Sequence, residues 1–154
     1  MTNRTFRIAT STDWGAIVAL LSRAALPLAG AEDHLRDFLL AFKDEQLVGT
    51  AALERYDNTG LLRSVAVTEA EQGSGLGQEL VRRLLDQARA DGLANVVLFT
   101  TTAAGFFPRF GFRPIHRDEM PLAAQHSLEF QEACPASATV MLLALPPAPT
   151  GGVA

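Results

Sequence analysis

The segment EQGSGLGQEL, residues 71–80, limits the folds open to this chain more than any other stretch. It places Gly73, Gly75 and Gly77 within five positions, and an amphipathic helical pattern begins directly after them. Glycine destabilises a helix relative to alanine, so three glycines at a helix start need a reason. The preceding residues LLRSVAV (61–67) are largely apolar, so the sequence predicts a strand, a tight glycine turn and a helix in succession.

A strand, a glycine turn and a helix together can bind an anion. The first N–H groups of a helix lack partners within it and carry about half a positive charge, and glycines let a phosphate approach the backbone. Of two nucleotide-binding patterns, the P-loop fails here, and the dinucleotide fingerprint has weak support and stays open as the least favoured alternative. A P-loop needs Lys and then Ser or Thr after its last glycine, where Gln78 and Glu79 stand. A dinucleotide fingerprint needs its third glycine at position 78. A tight turn with a purely structural role and no ligand is the alternative to an anion site.

The rest of the chain predicts alternating strands and helices. Their order indicates a mixed α/β (α+β) domain over residues 1–146, followed by a disordered tail at 147–154. The turn DNTG (57–60) separates the second and third strands of a predicted antiparallel meander. The predicted elements are strands at 6–9, 38–43, 46–56, 61–68, 95–100, 111–116 and 138–145, and helical segments at 10–26, 31–37, 76–92, 101–110 and 118–135.

Composition excludes several classes of function. The formal net charge of −4 argues against a nucleic-acid-binding protein. The single cysteine, Cys134, excludes an internal disulfide or a cysteine-based metal cluster, and His34, His116 and His126 show no metal-ligand spacing. No apolar run approaches the length of a membrane span, and the first ten residues lack a signal-peptide core. These features predict a soluble cytoplasmic protein with no membrane or metal partner.

Residues 72–77 match the pattern Q/R-x-x-G-x-G/A and resemble the acyl-CoA pyrophosphate loop of the GNAT acetyltransferases. LLRSVAV is similar to the strand before that loop, and VVLFTTTAAGFFPRFGF (96–112) to the later strand and its aromatic-x-x-x-Gly-Phe segment. The resemblance covers residues 6–116 and implies a mixed, mostly antiparallel sheet of about seven strands, with a splayed central pair and flanking helices. Together with TTTA and SLEFQEACPASATVM (127–141), these segments resemble the arsenic-resistance N-acetyltransferase subfamily.

The resemblance implies that acetyl-CoA is the co-substrate. Backbone amides of the glycine loop would hold its pyrophosphate, and the backbone of Val65 and Val67 would pair with its pantetheine arm. An amide near Val65 would polarise the thioester carbonyl. The residues assigned to the co-substrate are Val65, Ala66, Val67, Gln72, Gly73, Ser74, Gly75, Leu76, Gly77, Gln78, Phe106 and Phe107.

One position departs from the family pattern. The family usually carries a tyrosine in the aromatic pair, as the acid that protonates the leaving thiolate, whereas Phe107 cannot donate a proton. General acid catalysis is worth about 10²–10⁴-fold. A thiol with a pKa of about 8.5 nevertheless leaves readily, so water or the hydroxyl of Thr101 is expected to substitute. A catalytically silent acyl-CoA-binding module is the alternative.

The acceptor site is predicted across the meander. If DNTG closes a four-residue hairpin, Tyr56 pairs with Leu61, and Glu54 then faces Arg63 on one surface of the sheet. Arg63 would bind the carboxylate of an amino-acid-like acceptor, and Glu54 would act near its amine through a water. An ordinary cross-strand ion pair fits equally well. Ser64 is assigned to substrate binding beside Arg63. It is expected to pack or hydrogen-bond within the sheet and not to act as a nucleophile, because no histidine is placed to activate it.

Other candidates have weaker support. Cys134 is expected to be at least half buried, and a ping-pong acyl-cysteine role is not favoured. Glu129 and Ser127 form either a wall of the substrate site or a solvated helix face, and Thr101 and Thr102 are equally suited to capping the next helix.

The sequence thus predicts an acetyl-CoA-dependent N-acetyltransferase for a small amine. An amino-acid-like arsenical and a glutamate-like amino acid are both open as acceptors, because each presents a carboxylate to an arginine. The oligomeric state stays open, and a homodimer that pairs through the C-terminal strand is one arrangement that the resemblance allows.

Overall fold

The computed structural model describes residues 4–133 and 135–146, and in it seven strands form one sheet. The strands are β1 (Arg4–Ile8), β2 (Phe38–Lys43), β3 (Gln46–Tyr56), β4 (Thr59–Val67), β5 (Asn95–Thr100), β6 (Arg113–Ile115) and β7 (Thr139–Ala144). Their order across the sheet is β1-β2-β3-β4-β5-β7-β6. The helices are α1 (Trp14–Arg23), α2 (Leu76–Ala90) and α3 (Leu128–Ala133), with short 3-10 helices between some of the elements.

The central strands β4 and β5 form the parallel pair of this otherwise antiparallel sheet. They pair only where Thr59–Leu61 faces Asn95–Val97, although β4 continues to Val67 and β5 to Thr100. A gap therefore opens between their carboxyl ends. The helix α2 connects the two strands, as a parallel crossover requires. This arrangement confirms the predicted mixed sheet with a splayed central pair and flanking helices.

Helices cover both faces of the sheet and seal two main cores. The amphipathic pattern after the glycine loop forms α2, which packs on the face that carries Leu53, Leu62 and Leu98. The helix α1 packs on the opposite face, against Phe38 and Leu40. The buried residues of α2 are Leu76, Leu80, Val81, Leu84, Leu85 and Ala88, which are the positions that helical spacing predicts.

The turn between β3 and β4 is tighter than the sequence suggested. Tyr56 pairs with Thr59 and not with Leu61, so the predicted four-residue hairpin is wrong by two residues in register. Glu54 consequently lies opposite Leu61, and Arg63 stands two residues further along β4. Because side chains alternate between faces with a period of two, an even shift leaves Glu54 and Arg63 on the same face as diagonal neighbours.

The predicted helical segment at 118–135 is broken into short pieces. It contains 3-10 helices at Arg117–Glu119 and Leu122–His126 before α3. Met120 and Pro121 between them are extended, with ψ angles of 134° and 135°. A proline disfavours the helical conformation of the residue before it, which explains the first break.

Two predictions concern residues that the structure does not describe. The tail at 147–154 and Cys134 lie outside the described residues.

None of the helices in residues 4–133 and 135–146 is long and apolar enough to cross a membrane. Within the same ranges, no three or more histidine, cysteine or acidic side chains are grouped as they would be around a metal ion.

Candidate active site

The glycine loop adopts a backbone that requires glycine. Gly73 and Gly75 have φ angles of +81° and +87°, and no atom lies within 4 Å of where a Cβ would stand at either position. The requirement is therefore conformational and not a matter of space. Gly75 is the N-cap of α2 and has no side chain with which to cap the helix. The first hydrogen bond of the helix runs from the backbone N–H of Glu79 to the carbonyl of Gly75, at 3.0 Å. The N–H groups of residues 76–78 are thus available to an anion.

The start of the loop is anchored to the sheet. Glu71 is buried, with Oε1 3.3 Å from Arg4 Nε and Oε2 3.9 Å from Lys43 Nζ. Ser74 donates both its hydroxyl and its backbone N–H to the carbonyl of Glu71, at 2.5 and 3.2 Å. Of the loop residues predicted to bind the co-substrate, Ser74 therefore uses its hydroxyl and its N–H inside the loop.

A cavity of about 300 Å³ lies beside the loop, and we call it the glycine-loop cavity. Arg109 is on its wall, with the guanidinium 4.5 Å from the ring centroid of Phe106. Sequence analysis did not assign Arg109 to the site, and only its place in the aromatic segment could have suggested it. A cation beside a helix N-terminus suits a pyrophosphate. The lining residues are Val67, Glu71, Gln72, Gly73, Gly75, Leu76, Gly77, Gln78, Phe106 and Arg109.

A second cavity, of about 330 Å³, fills the gap between β4 and β5, and we call it the cleft cavity. The aromatic pair divides between the two spaces, since Phe106 lines the glycine-loop cavity and Phe107 the cleft cavity. Their ring centroids are 5.1 Å apart. The cleft cavity is lined by Ala24, Ala25, Leu26, Pro27, Leu62, Arg63, Ser64, Val65, Leu98, Phe99, Thr100, Thr101, Thr102, Ala103, Phe107, Glu129 and Pro135.

A bulge interrupts β4 where it borders the cleft cavity. Ser64 and Val65 together lie opposite the single residue Ala51 of β3. Ser64 has a φ angle of +57°, a conformation that non-glycine residues rarely adopt. Bulges of this kind re-aim the backbone and are frequent beside active sites.

A buried threonine fixes the orientation of that bulge. Thr50 on β3 donates its hydroxyl to the carbonyl of Ser64 at 2.7 Å. No described peptide bond is cis, and in a trans peptide the N–H points opposite to the C=O. The N–H of Val65 therefore points away from β3 and toward the cleft side of β4, where the family resemblance implies an amide that polarises a carbonyl.

Buried charges meet at the far end of the cleft cavity, and we call Glu54, Arg63, Ser127 and Glu129 the carboxylate cluster. Nη1 of Arg63 lies 2.9 Å from Oε2 of Glu54, and its Nε lies 3.2 Å from Oε2 of Glu129. The other oxygen of Glu54 accepts from the hydroxyls of Tyr56 at 2.5 Å and Ser127 at 3.0 Å. The structure thus brings together the predicted pair, Glu54 and Arg63, with two residues from a distant segment.

Arg63 is enclosed by protein acceptors. Its side chain has 0% exposure, and it donates to the carbonyls of Ala29 at 2.6 Å and Pro27 at 3.0 Å. Nε also lies 3.2 Å from the hydroxyl oxygen of Ser64. These bonds hold the loop between α1 and β2 over the cleft. Most of the N–H groups of Arg63 thus bond to acceptors within the protein. Binding of an acceptor carboxylate by Arg63 stays a prediction.

Glu129 has the most perturbed environment in the cluster. Burial raises the pKa of Glu129 to about 7, with the negative charge of Glu54 acting in the same direction and Arg63 acting against both. Burial, followed by the hydrogen bond to Glu54, also raises the pKa of Tyr56. The sequence allows Glu129 to lie either in a wall of the substrate site or on a solvated helix face. The solvated alternative is wrong, because Glu129 is buried and lines the cleft cavity.

The two predicted catalytic side chains occupy different positions. Thr101 is exposed and lines the cleft cavity. Glu54 is buried and is not one of the residues that line the cavity. The capping alternative for Thr101 and Thr102 is wrong, because the next helix, the 3-10 helix Phe107–Phe110, has Phe106 as its N-cap and no side-chain cap. The hydroxyl of Thr100 instead accepts the backbone N–H of Ala103 at 2.9 Å, in the turn before that helix.

Comparison with known proteins gives a family match. The sequence model of the acetyltransferase (GNAT) family matches residues 9–112, which include the glycine loop and both central strands. The chain is 29% identical to the amino-acid acetyltransferase of Neisseria meningitidis serogroup A over 92 residues, which are 58% of this chain and 21% of that protein. The chain therefore spans about a fifth of the length of this relative.

Two solved structures share the fold over nearly the whole chain. N-acetylglutamate synthase from Neisseria gonorrhoeae, complexed with coenzyme A and N-acetyl-glutamate, superposes with a TM-score of 0.80 at 24% identity, covering 95% of this chain and 36% of that one. Rv2747 from Mycobacterium tuberculosis, solved in complex with CoA, gives a TM-score of 0.74 at 26% identity and covers 92% and 99%.

Proposed function

This chain belongs to the GNAT acetyltransferase family, and on that premise we propose that it is an acetyl-CoA-dependent N-acetyltransferase for a small amine of the amino-acid type. One observation carries the proposal. The uncapped N-terminus of α2 and the re-aimed amide of Val65 lie along the same splayed gap between β4 and β5. A phosphate site and a carbonyl site on one gap suit a long acyl-CoA.

The residues present fit acetyl-CoA. The N–H groups of residues 76–78 and the guanidinium of Arg109 would hold the pyrophosphate. Beyond Leu61, β4 has no pairing with β5, so its backbone at Val65 and Val67 is open to the pantetheine arm as an added strand would be. Phe106 adds an apolar wall at the glycine-loop cavity.

Acetyl-CoA supplies the activated acyl group, and the chain supplies the stabilisation of charge. We propose that the N–H of Val65 donates to the thioester oxygen, where negative charge develops during attack. Phe107 on the same wall has no proton to give, so the thiolate leaves unaided or with the hydroxyl of Thr101, which lines the same cavity. Ser64 contributes the positive-φ turn that aims this amide, and no nucleophilic role is needed.

Two observations support an amino-acid acceptor. The Neisseria meningitidis relative is named for amino-acid acetylation, and the carboxylate cluster offers a negative group to an ammonium in the cleft. A glutamate-like amino acid is therefore the first acceptor to test. The amino-acid-like arsenical suggested by the sequence resemblance is the second. Residues 1–146 as one catalytic domain, a cytoplasmic location and a homodimer belong to the same proposal.

A thiol-release assay tests this function. Purified protein with acetyl-CoA is offered glutamate, other L-amino acids, an amino-acid-like arsenical and an alkylamine without a carboxylate. We expect CoA release that depends on the amine and is fastest with an amino-acid-like acceptor. Thermal stabilisation by CoA but not by NAD checks the glycine loop independently. Tight CoA binding without turnover on any amine would instead identify a silent acyl-CoA-binding module, which Phe107 makes the second candidate.

A further inference from the structure

One carboxylate at the acceptor end of the cleft cavity is buried and has an oxygen left open. Glu129 is 4% exposed and lines the cavity together with Val65 and Phe107. Its Oε2 lies 3.2 Å from Nε of Arg63, and none of the side-chain hydrogen bonds among the described residues involves Oε1. No fully buried polar side-chain atom of those residues lacks a partner, so Oε1 keeps contact with the open space of the cavity. A carboxylate in such a mostly buried position is costly to keep ionised, so Glu129 is suited to take up a proton.

The neighbouring carboxylate cannot act in the same way. Both oxygens of Glu54 are occupied, since Oε1 accepts from Tyr56 and Ser127 and Oε2 accepts from Arg63. Glu54 is also absent from the residues that line the cleft cavity. The base that the sequence assigned to Glu54 therefore has better geometry at Glu129, which reaches the cavity directly.

The charges around Glu129 favour a cationic partner. Glu129 faces Glu54 on β3 and Arg63 on β4. Two further groups contact Glu54: the hydroxyl of Tyr56 donates to it, and Nε2 of His34 lies 3.9 Å from it. Arg63 balances one carboxylate, so an ionised Glu129 leaves the cluster with one surplus negative charge. That charge attracts an ammonium, and proton transfer then neutralises a buried group, which burial favours.

Building on the proposed function, we propose that Glu129 accepts the proton that the acceptor ammonium must lose before its nitrogen attacks the thioester. The N–H bond breaks, its electron pair stays on nitrogen, and an O–H bond forms at Glu129. The neutral amine forms the C–N bond, the C–S bond breaks, and CoA leaves as a thiolate. The second proton of the nitrogen goes to that thiolate, and Glu129 returns its proton to water.

The test compares kcat/KM for the best acceptor in the wild type and Glu129→Gln between pH 6 and 9.5. We expect a loss of about 10²–10⁴-fold near pH 7. The loss should shrink by about tenfold per pH unit toward the pKa of the acceptor, because the fraction of neutral amine in solution rises by that factor. Glu45→Gln, on the exposed turn between β2 and β3, is the matched control and should keep the wild-type profile.

Each outcome decides the role. A Glu129→Gln variant with wild-type kcat/KM at pH 7, or with the same loss at every pH, overturns the proposal while the acetyltransferase function stands. Absence of turnover in the wild type removes the function itself and this role with it. Binding of CoA reports folding of the variant. If Glu129→Gln does not fold, Glu129→Asp takes its place, and a slower rate that keeps the wild-type pH dependence supports the proposal, whereas a pH-independent loss overturns it.

Discussion

The two ends of the cleft between β4 and β5 are built in different ways. The glycine-loop end is made mostly of backbone, since its amide donors come from one continuous segment, residues 71–78, and Arg109 adds a single side chain. The end at the carboxylate cluster, where we propose that the acceptor binds, is made of side chains brought together from β3, β4 and the distant Ser127–Glu129 region. We call it the acceptor end. Backbone sites depend on local conformation and side-chain sites on tertiary packing. Substitutions should therefore separate the two ends, with different effects on stability, co-substrate affinity and rate.

Removal of Arg63 should have the largest effect, and it should fall on stability. Arg63→Ala leaves two buried carboxylates without their cationic partner and two loop carbonyls without their donor, so we expect a loss of about 3–5 kcal/mol in the free energy of unfolding by urea. Arg89→Ala, which breaks an exposed pair with Asp86, should change it by less than about 1 kcal/mol. If the two variants are equally stable and Arg63→Ala raises only the KM for carboxylate-bearing amines, Arg63 binds substrate instead.

A pH-dependent change in stability should come next in size. The folded pKa of Glu129, about 7, lies above its ordinary value of 4.5, so the folded state holds this proton more tightly than the unfolded chain. Its contribution to stability is present below pH 4.5 and is lost as the pH rises through about 7. Glu129→Gln should match the wild type at pH 4.5 and exceed its free energy of unfolding by up to about 3 kcal/mol at pH 8. Equal unfolding curves at both pH values would show that Glu129 is not perturbed by burial.

How much of each end could be predicted follows from the same contrast. The glycine loop, its strand and its helix could be predicted because both of their signals lie within a short stretch of sequence. Positive-φ positions favour glycine, and an amphipathic helix repeats apolar residues at helical spacing. The Glu54–Arg63 contact was also predicted, although for a hairpin register that is wrong by two residues, and it survived because the shift is even. Glu129 could not be placed, because it reaches Arg63 only through packing of a segment that lies more than sixty residues along the chain.

The third effect belongs to the glycine-loop end. Gly75→Ala puts a side chain at a φ of +87°, which costs about 1–2 kcal/mol and distorts the N-cap of α2. We expect the Kd for CoA to rise by about tenfold, measured by calorimetry, with little change in the KM for the acceptor. Gly15→Ala in α1 is the control, since its Cβ meets no atom within 4 Å and alanine favours a helix. A larger change in acceptor KM than in CoA affinity would contradict the separation of the two ends.

The smallest effect should come from Thr50, which lies between the two ends. Thr50→Val keeps the shape of the side chain but removes the hydrogen bond to the Ser64 carbonyl, so the bulge loses the contact that aims the Val65 amide. We expect kcat to fall by about threefold to tenfold with CoA affinity unchanged, and stability to fall by about 1 kcal/mol. Thr59→Val removes a comparable bond, to Asn95, at the far end of β4. It should cost similar stability and leave kcat intact, whereas equal losses of kcat in both variants would mean that Thr50 acts through stability and does not position the amide.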